Sequence, residues 1–243
     1  MPIGRAAPDW ADQKSQNQAE NQPKAKRQKI MKLYTFDPAP NPQRLKMFMD
    51  FKGIDIDTQQ VNFPEGEQRT DAYKALVPSG TVPALILDNG QVLTSVFAIT
   101  QYLEAIHPQK PLLGESNEER AGVLDWNHRL FNDVFRPTGD ALRNSNPAFA
   151  GRALPGTLDT QQIPELADRG KAQLLHAFET LNRELGTRPF VAGDAFTMAD
   201  IDLLAVIKFA GWAAKITPDE SQKDLHAWHA RAASAFEEGC ASG

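Results

Sequence analysis

The sequence predicts a small α/β domain followed by an all-helical one. Three observations carry this. The first part of the chain alternates β-prone runs with a helical one, in the order strand, helix, strand. A second pair of short strands, "ALIL" and "QVL", is joined by Asp88-Asn89-Gly90, and Asn-Gly between apolar runs is a strong hairpin signal. From about residue 118 onward the apolar positions repeat only at helical spacing. The expected organisation is a polar tail over 1–30, an α/β domain over 31–107, a linker over 108–118, a helical domain over 119–237 and a tail over 238–243.

The elements follow in order. Residues 1–30 are polar and rich in Gln, Asn and Lys, and cannot bury enough apolar surface to offset ordering entropy, so a disordered tail is expected. "MKLYTF" is the first strand. Asn41 is the expected N-cap of the next helix, with Pro42 at its first position, where a missing N–H costs nothing. Leu45, Phe48 and Met49 repeat at helical spacing, and Gly53 ends the helix. "IDIDTQQV" is the second strand, which makes a βαβ unit with a parallel pair. After the hairpin, "SVFAITQYLEAIH" is an amphipathic helix stopped by Pro108. That order is the order of a thioredoxin-like domain.

In the second part, "EERAGVLDWNHRLFNDVF" is a helix with Leu124, His128, Phe131 and Phe135 on one face. A Pro- and Gly-containing stretch is expected from Arg136 to Pro164. "ELADRGKAQLLHAFETLNREL", "FTMADIDLLAVIKFAGWAA" and "SQKDLHAWHARAASAFEE" are the remaining helices. Thr197 and Asp200 form a capping box at the start of the middle one, with Phe196 placed to staple onto Ile201.

Composition bounds the function. The 243 residues are 41% hydrophobic and 23% charged, as in an ordinary soluble protein with a sizeable core. A net charge of −5 counts against nucleic acid as the main partner. The single cysteine, Cys240, leaves no intramolecular disulfide and no Cys-x-x-Cys pair. His226 and His229 lack an apparent third ligand, so no metal site is expected. No apolar run reaches the roughly 18 residues of a membrane helix, and no signal-peptide pattern is present, so the cytoplasm is the expected compartment.

Two motifs carry a family likeness. "PSGTVPALILDNGQVLTSVFAITQYLE" resembles the second half of a glutathione S-transferase N-terminal domain, and "PFVAGDAFTMADIDLLA" resembles a helix start in that family's C-terminal domain. With "APNP", "GEQR" and "WNHR", the chain is most similar to Gtt2-like transferases of bacteria and fungi. The resemblance covers Met31 to about Phe236.

The resemblance implies a glutathione site. A cis proline, Pro83, would turn the main chain of Val82 outward, and an unpaired backbone pair is an edge that an extended peptide joins. Thr94 and Ser95 would hold the γ-glutamyl carboxylate at a helix start. The family commonly has Glu-Ser where this chain has Ser95-Val96. In cysteine-type members the reactive thiol stands where this chain has Ala39, so disulfide exchange by the protein is not expected. Conjugation survives, because its nucleophile belongs to glutathione. Asn41 lies in the same turn. His128 and Tyr34 are the candidate groups for stabilising the thiolate, and Phe131 and Phe135 the candidate walls of a cleft for an apolar electrophile.

The expected function is therefore conjugation of glutathione, as co-substrate, to small hydrophobic electrophiles by a homodimer, in the manner of detoxification. The alternative is a non-catalytic binding or scaffold protein of the same architecture. A peroxidase using bound glutathione is a third reading.

Overall fold

A computed structural model describes residues 31–242. The expected N-terminal tail lies outside the described residues.

Four strands form one mixed sheet in the order β2-β1-β3-β4. β1 (Lys32–Thr35) runs parallel to β2 (Asp57–Gln60) and antiparallel to β3 (Ala84–Ile86), which pairs with β4 (Val92–Leu93). The parallel pair needs a crossover, which α1 (Pro40–Lys52) supplies. Gly53 ends α1 at φ 67, where a side chain would be strained. Asn89-Gly90 turns the hairpin as expected, with the Gly90 and Leu87 N–H groups bonded across it to Leu87 and Gln91. α3 (Val96–Ile106) follows.

Strand alternation sends side chains to both faces. Leu33 and Leu85 meet Leu45, Phe48 and Met49 of α1 and Ile99 and Leu103 of α3 on one face. Tyr34 and Ala84 meet Tyr73 of α2 (Asp71–Leu76) on the other.

In the helical part, α4 (Asn117–Leu130) and α5 (Arg136–Arg143) are joined by one wide π-helical turn, Phe131–Phe135. The expected break at Arg136 is absent. Pro137 offers no N–H to the carbonyl four residues back, the turn widens there, and the Thr138 hydroxyl donates to the Val134 carbonyl at 2.7 Å. The buried face of α4 also differs from the expectation. It is Val123, Trp126, Asn127 and Leu130, whereas Leu124 is 51% exposed and His128 is exposed.

α6 (Pro164–Leu185), α7 (Met198–Ala213) and α8 (Lys223–Ala241) complete the bundle. α8 runs past the expected boundary at 237. The Thr197–Asp200 capping box is present, and buried Asp200 also accepts from the Val191 N–H and the Trp228 indole. α7 is the joint of the molecule. Its Met198 and Ile201 belong to the core beneath the sheet, and its Ala199, Leu203 and Val206 to the core of the bundle.

Candidate active site

Strand register brings three loops to one end of the sheet. Tyr34 pairs with Ala84 and Leu85 with Leu93. Continued outward, the end of β1, the residues before β3 and those after β4 lie side by side. The turn at Ala39, the Val82-Pro83 loop and the Thr94-Ser95 corner therefore share one edge.

The Val82-Pro83 bond is cis. The Val82 side chain is buried, while its N–H and C=O have no hydrogen-bond partner among the described residues. The segment before it is tied down, because the Tyr73 hydroxyl donates to the Thr81 carbonyl at 2.9 Å. Burial, then the charge of Glu67 and the neighbouring Tyr34, push Tyr73 up to about 12, so it stays a donor.

At the corner, Ser95 is the N-cap of α3 but its hydroxyl makes no capping bond. Thr94 and Ser95 are exposed, and the first N–H groups of α3 lie beside them. Unpaired N–H groups at a helix start are able to receive an anion. Val96, standing where the family commonly has serine, is buried in the core.

The opening turn departs from the expected helix start. α1 begins at Pro40 with Ala39 as N-cap, so Asn41 is inside the helix and caps nothing. Two first-turn positions are prolines without an N–H. The Gln43 N–H bonds the Ala39 carbonyl at 3.1 Å. The Asn41 N–H has no partner among the described residues.

Beneath this turn lies a buried polar network that the sequence reading missed. Arg44 donates from Nε and Nη2 to the two carboxylate oxygens of Asp202, each at 2.7 Å. Its Nη1 donates to Asn41 Oδ1 at 2.9 Å. Asn127 Nδ2 donates to Asp202 Oδ2 at 2.6 Å. Phe97 and Phe135 lie over the guanidinium, with ring centroids 5.4 and 5.3 Å from its carbon. A signal for Asp202 existed, since a second acid in the apolar run "ADIDLLAVI" needs a buried partner.

Phe131 and Phe135 stack at 5.5 Å, and Phe135 continues through Phe209 at 5.5 Å to Trp212 at 6.3 Å. Trp212 is 63% exposed. The expected aromatic pair is thus part of a longer wall, whose second half comes from α7.

The two candidate thiolate donors make no side-chain hydrogen bond to this turn. Tyr34 is turned to the α2 face of the sheet, where its ring meets Tyr73 edge-on at 6.0 Å. His128 is exposed, with Nε2 2.8 Å from Asn132 Nδ2 and no side-chain hydrogen bond to the turn. Among the described residues no group of His, Cys, Asp or Glu has the arrangement of a metal site.

A strap from the helical part reaches this edge. Arg143 holds it by donating to the carbonyls of Arg152, Ala153 and Leu154. Its Asp159 pairs with Arg69, and its Thr157 lies against Gly80, two residues before Val82.

These features recur in known proteins. The model of the glutathione S-transferase N-terminal domain matches residues 39–106, and that of the C-terminal domain matches 164–233. The chain is 29% identical over 203 residues to glutathione S-transferase 2 of Saccharomyces cerevisiae, covering 83% of this chain and 84% of that one. It is 30% identical over 169 residues to glutathione S-transferase GstA of Escherichia coli O157:H7, covering 66% and 71%. A solved glutathione S-transferase domain-containing protein from Marinobacter aquaeolei superposes with a TM-score of 0.76 at 31% identity, over 84% of this chain and 97% of that one. Gtt2 from Saccharomyces cerevisiae superposes with a TM-score of 0.74 at 27% identity, over 82% and 94%. With a cis-proline edge, an open helix start and an aromatic wall on a fold of this kind, the chain belongs to the glutathione S-transferase family, and among these relatives it is similar to those of the Gtt2 type.

Proposed function

We propose that this protein conjugates glutathione to small hydrophobic electrophiles. The carrying observation is the main-chain pair of Val82, without a partner among the described residues, on the same edge as the Thr94-Ser95 corner. The cysteinyl backbone of glutathione pairs with Val82 beside Pro83. Its γ-glutamyl carboxylate lies at Thr94, Ser95 and the start of α3. Ala39 lines the floor under the sulfur and supplies no nucleophile, so no mixed disulfide forms with the protein here.

The electrophile lies against Phe131 and Phe135. The glutathione sulfur forms the new bond to carbon. With an aryl halide the halide leaves with the bonding pair, and with an activated alkene the adjacent carbon takes up a proton. A homodimer in the cytoplasm, acting in detoxification, is the setting we infer, with an α/β domain over 31–107 and a helical domain running from α4 through α8.

The substitution of Ser95-Val96 for Glu-Ser favours one second reading, a binding or scaffold protein that does not turn over. A general aryl halide with glutathione separates the two. Saturable, glutathione-dependent turnover supports the transferase. Retention on immobilised glutathione without turnover of any electrophile supports the second reading, and failure to bind glutathione at all removes the first.

A further inference from the structure

We propose that Asn41 is the residue that holds the glutathione thiolate, and that Arg44, anchored on Asp202, is the positioning residue that sets its amide. This rests on the transferase reading above.

A helix start normally offers several unpaired N–H groups. Here Pro40 and Pro42 have none, and that of Gln43 is used by Ala39. Asn41 keeps the first-turn N–H that has no partner among the described residues. The partial positive end of α1 is presented there.

The Asn41 amide is oriented by Arg44. A guanidinium only donates, so the group it meets must be the oxygen of Asn41. Arg44 Nη1 lies 2.9 Å from Asn41 Oδ1, which turns Nδ2 and its two hydrogens away from Arg44. Nδ2 has no partner among the described residues, and Asn41 is partly exposed.

Arg44 itself is held firmly. Arg44 is 3% exposed. Its other two nitrogens are committed to Asp202, and aromatic rings lie over its plane. It cannot release the Asn41 oxygen without breaking a buried ion pair. Two N–H donors of one residue, backbone and side chain, are thus fixed in the turn where Ala39 brings no polar group. Donors of this kind favour thiolate over thiol.

The test follows the ultraviolet thiolate band of bound glutathione against pH in the full chain. Asn41→Asp keeps an acceptor for Arg44 and removes the amide donor, and Asn41→Ala removes both. In each, the bound thiol should titrate at least one pH unit higher, about a tenfold fall in the ratio of thiolate to thiol at a given pH. The acid limb of the kcat/KM profile should move with it. Binding of S-methylglutathione, which has no thiol to ionise, should stay within about threefold, on the order of RT. Arg44→Lys, which keeps the charge but not the fork, should shift the thiol in the same direction. A thiolate titration unchanged in both Asn41 variants overturns the inference while leaving the transferase reading intact. A wild-type protein that binds neither glutathione nor S-methylglutathione overturns both.

Discussion

Arg44 of α1 and Asp202 of α7 meet through two 2.7 Å hydrogen bonds, with side chains only 4% and 2% exposed. The pair joins the helix that begins at the site turn to the helix that passes through both cores. Removing one partner strands a buried charge. Asp202→Ala should cost about 3–5 kcal/mol, whereas the double change Arg44→Met with Asp202→Leu should cost much less. Denaturant midpoints of the three proteins decide this, and a double variant as unstable as Asp202→Ala would contradict it.

Tyr73 ties the Val82 loop to α2. Its hydroxyl, pushed up to about 12 chiefly by burial, donates to the Thr81 carbonyl. A folded pKa above the unfolded value of about 10 gives a stability that is whole below pH 10 and is lost as pH rises toward 12. Tyr73→Phe should lose about 1 kcal/mol near neutrality and weaken glutathione binding several-fold. Alkaline melts should show the wild type losing stability faster than Tyr73→Phe.

Trp212 ends the aromatic wall and is open to solvent. If the wall receives the electrophile, Trp212→Ala should lower kcat/KM for an aryl substrate about threefold to tenfold, the range of one aromatic contact. A small aliphatic electrophile should change less than about twofold on the same scale. Equal losses for both substrates would remove Trp212 from recognition.

Glu184 accepts from Arg129 at 2.9 Å and Arg188 at 3.0 Å, and both guanidinium groups lie over Trp126. Burial pushes its carboxyl up, but the two arginines outweigh this and hold it below the usual range. The folded chain therefore keeps Glu184 ionised to lower pH than the unfolded chain. That stability is present above the unfolded pKa of about 4.3 and is lost as pH falls through the folded value. Glu184→Gln should cost roughly 0.5–1 kcal/mol at neutral pH, with the difference closing below about pH 4.

Gly170 on α6 lets that helix lie against α5. A Cβ there would stand 2.5 Å from the Pro137 carbonyl oxygen, which is backbone. Gly170→Ala should destabilise by about 1–3 kcal/mol despite the better helix propensity of alanine. An unchanged melting temperature would show that the crossing has slack.

The pattern of Leu45, Phe48 and Met49, the Asn89-Gly90 turn, the Gly53 stop and the Thr197–Asp200 box were legible because each acts within a few residues. Local periodicity and local hydrogen bonds need no knowledge of the rest of the chain. The start of α1 was misplaced by this same local logic, which favoured Asn41 as a cap. Its side chain has instead a partner three residues on, Arg44, which is itself held by Asp202, 158 positions away.

By itself, then, the sequence determined the order of the four strands and of the longer helices, the sheet-then-bundle architecture and the absence of a nucleophile at Ala39. Tertiary structure decided which polar groups are spent and which remain to act. A hydrogen bond is a property of two groups, and for Arg44, Asp202 and Asn127 the partner becomes known only when α1, α4 and α7 pack together. The same packing turned Tyr34 to the α2 face, left His128 in solvent, and carried the aromatic wall across from Phe135 to Phe209.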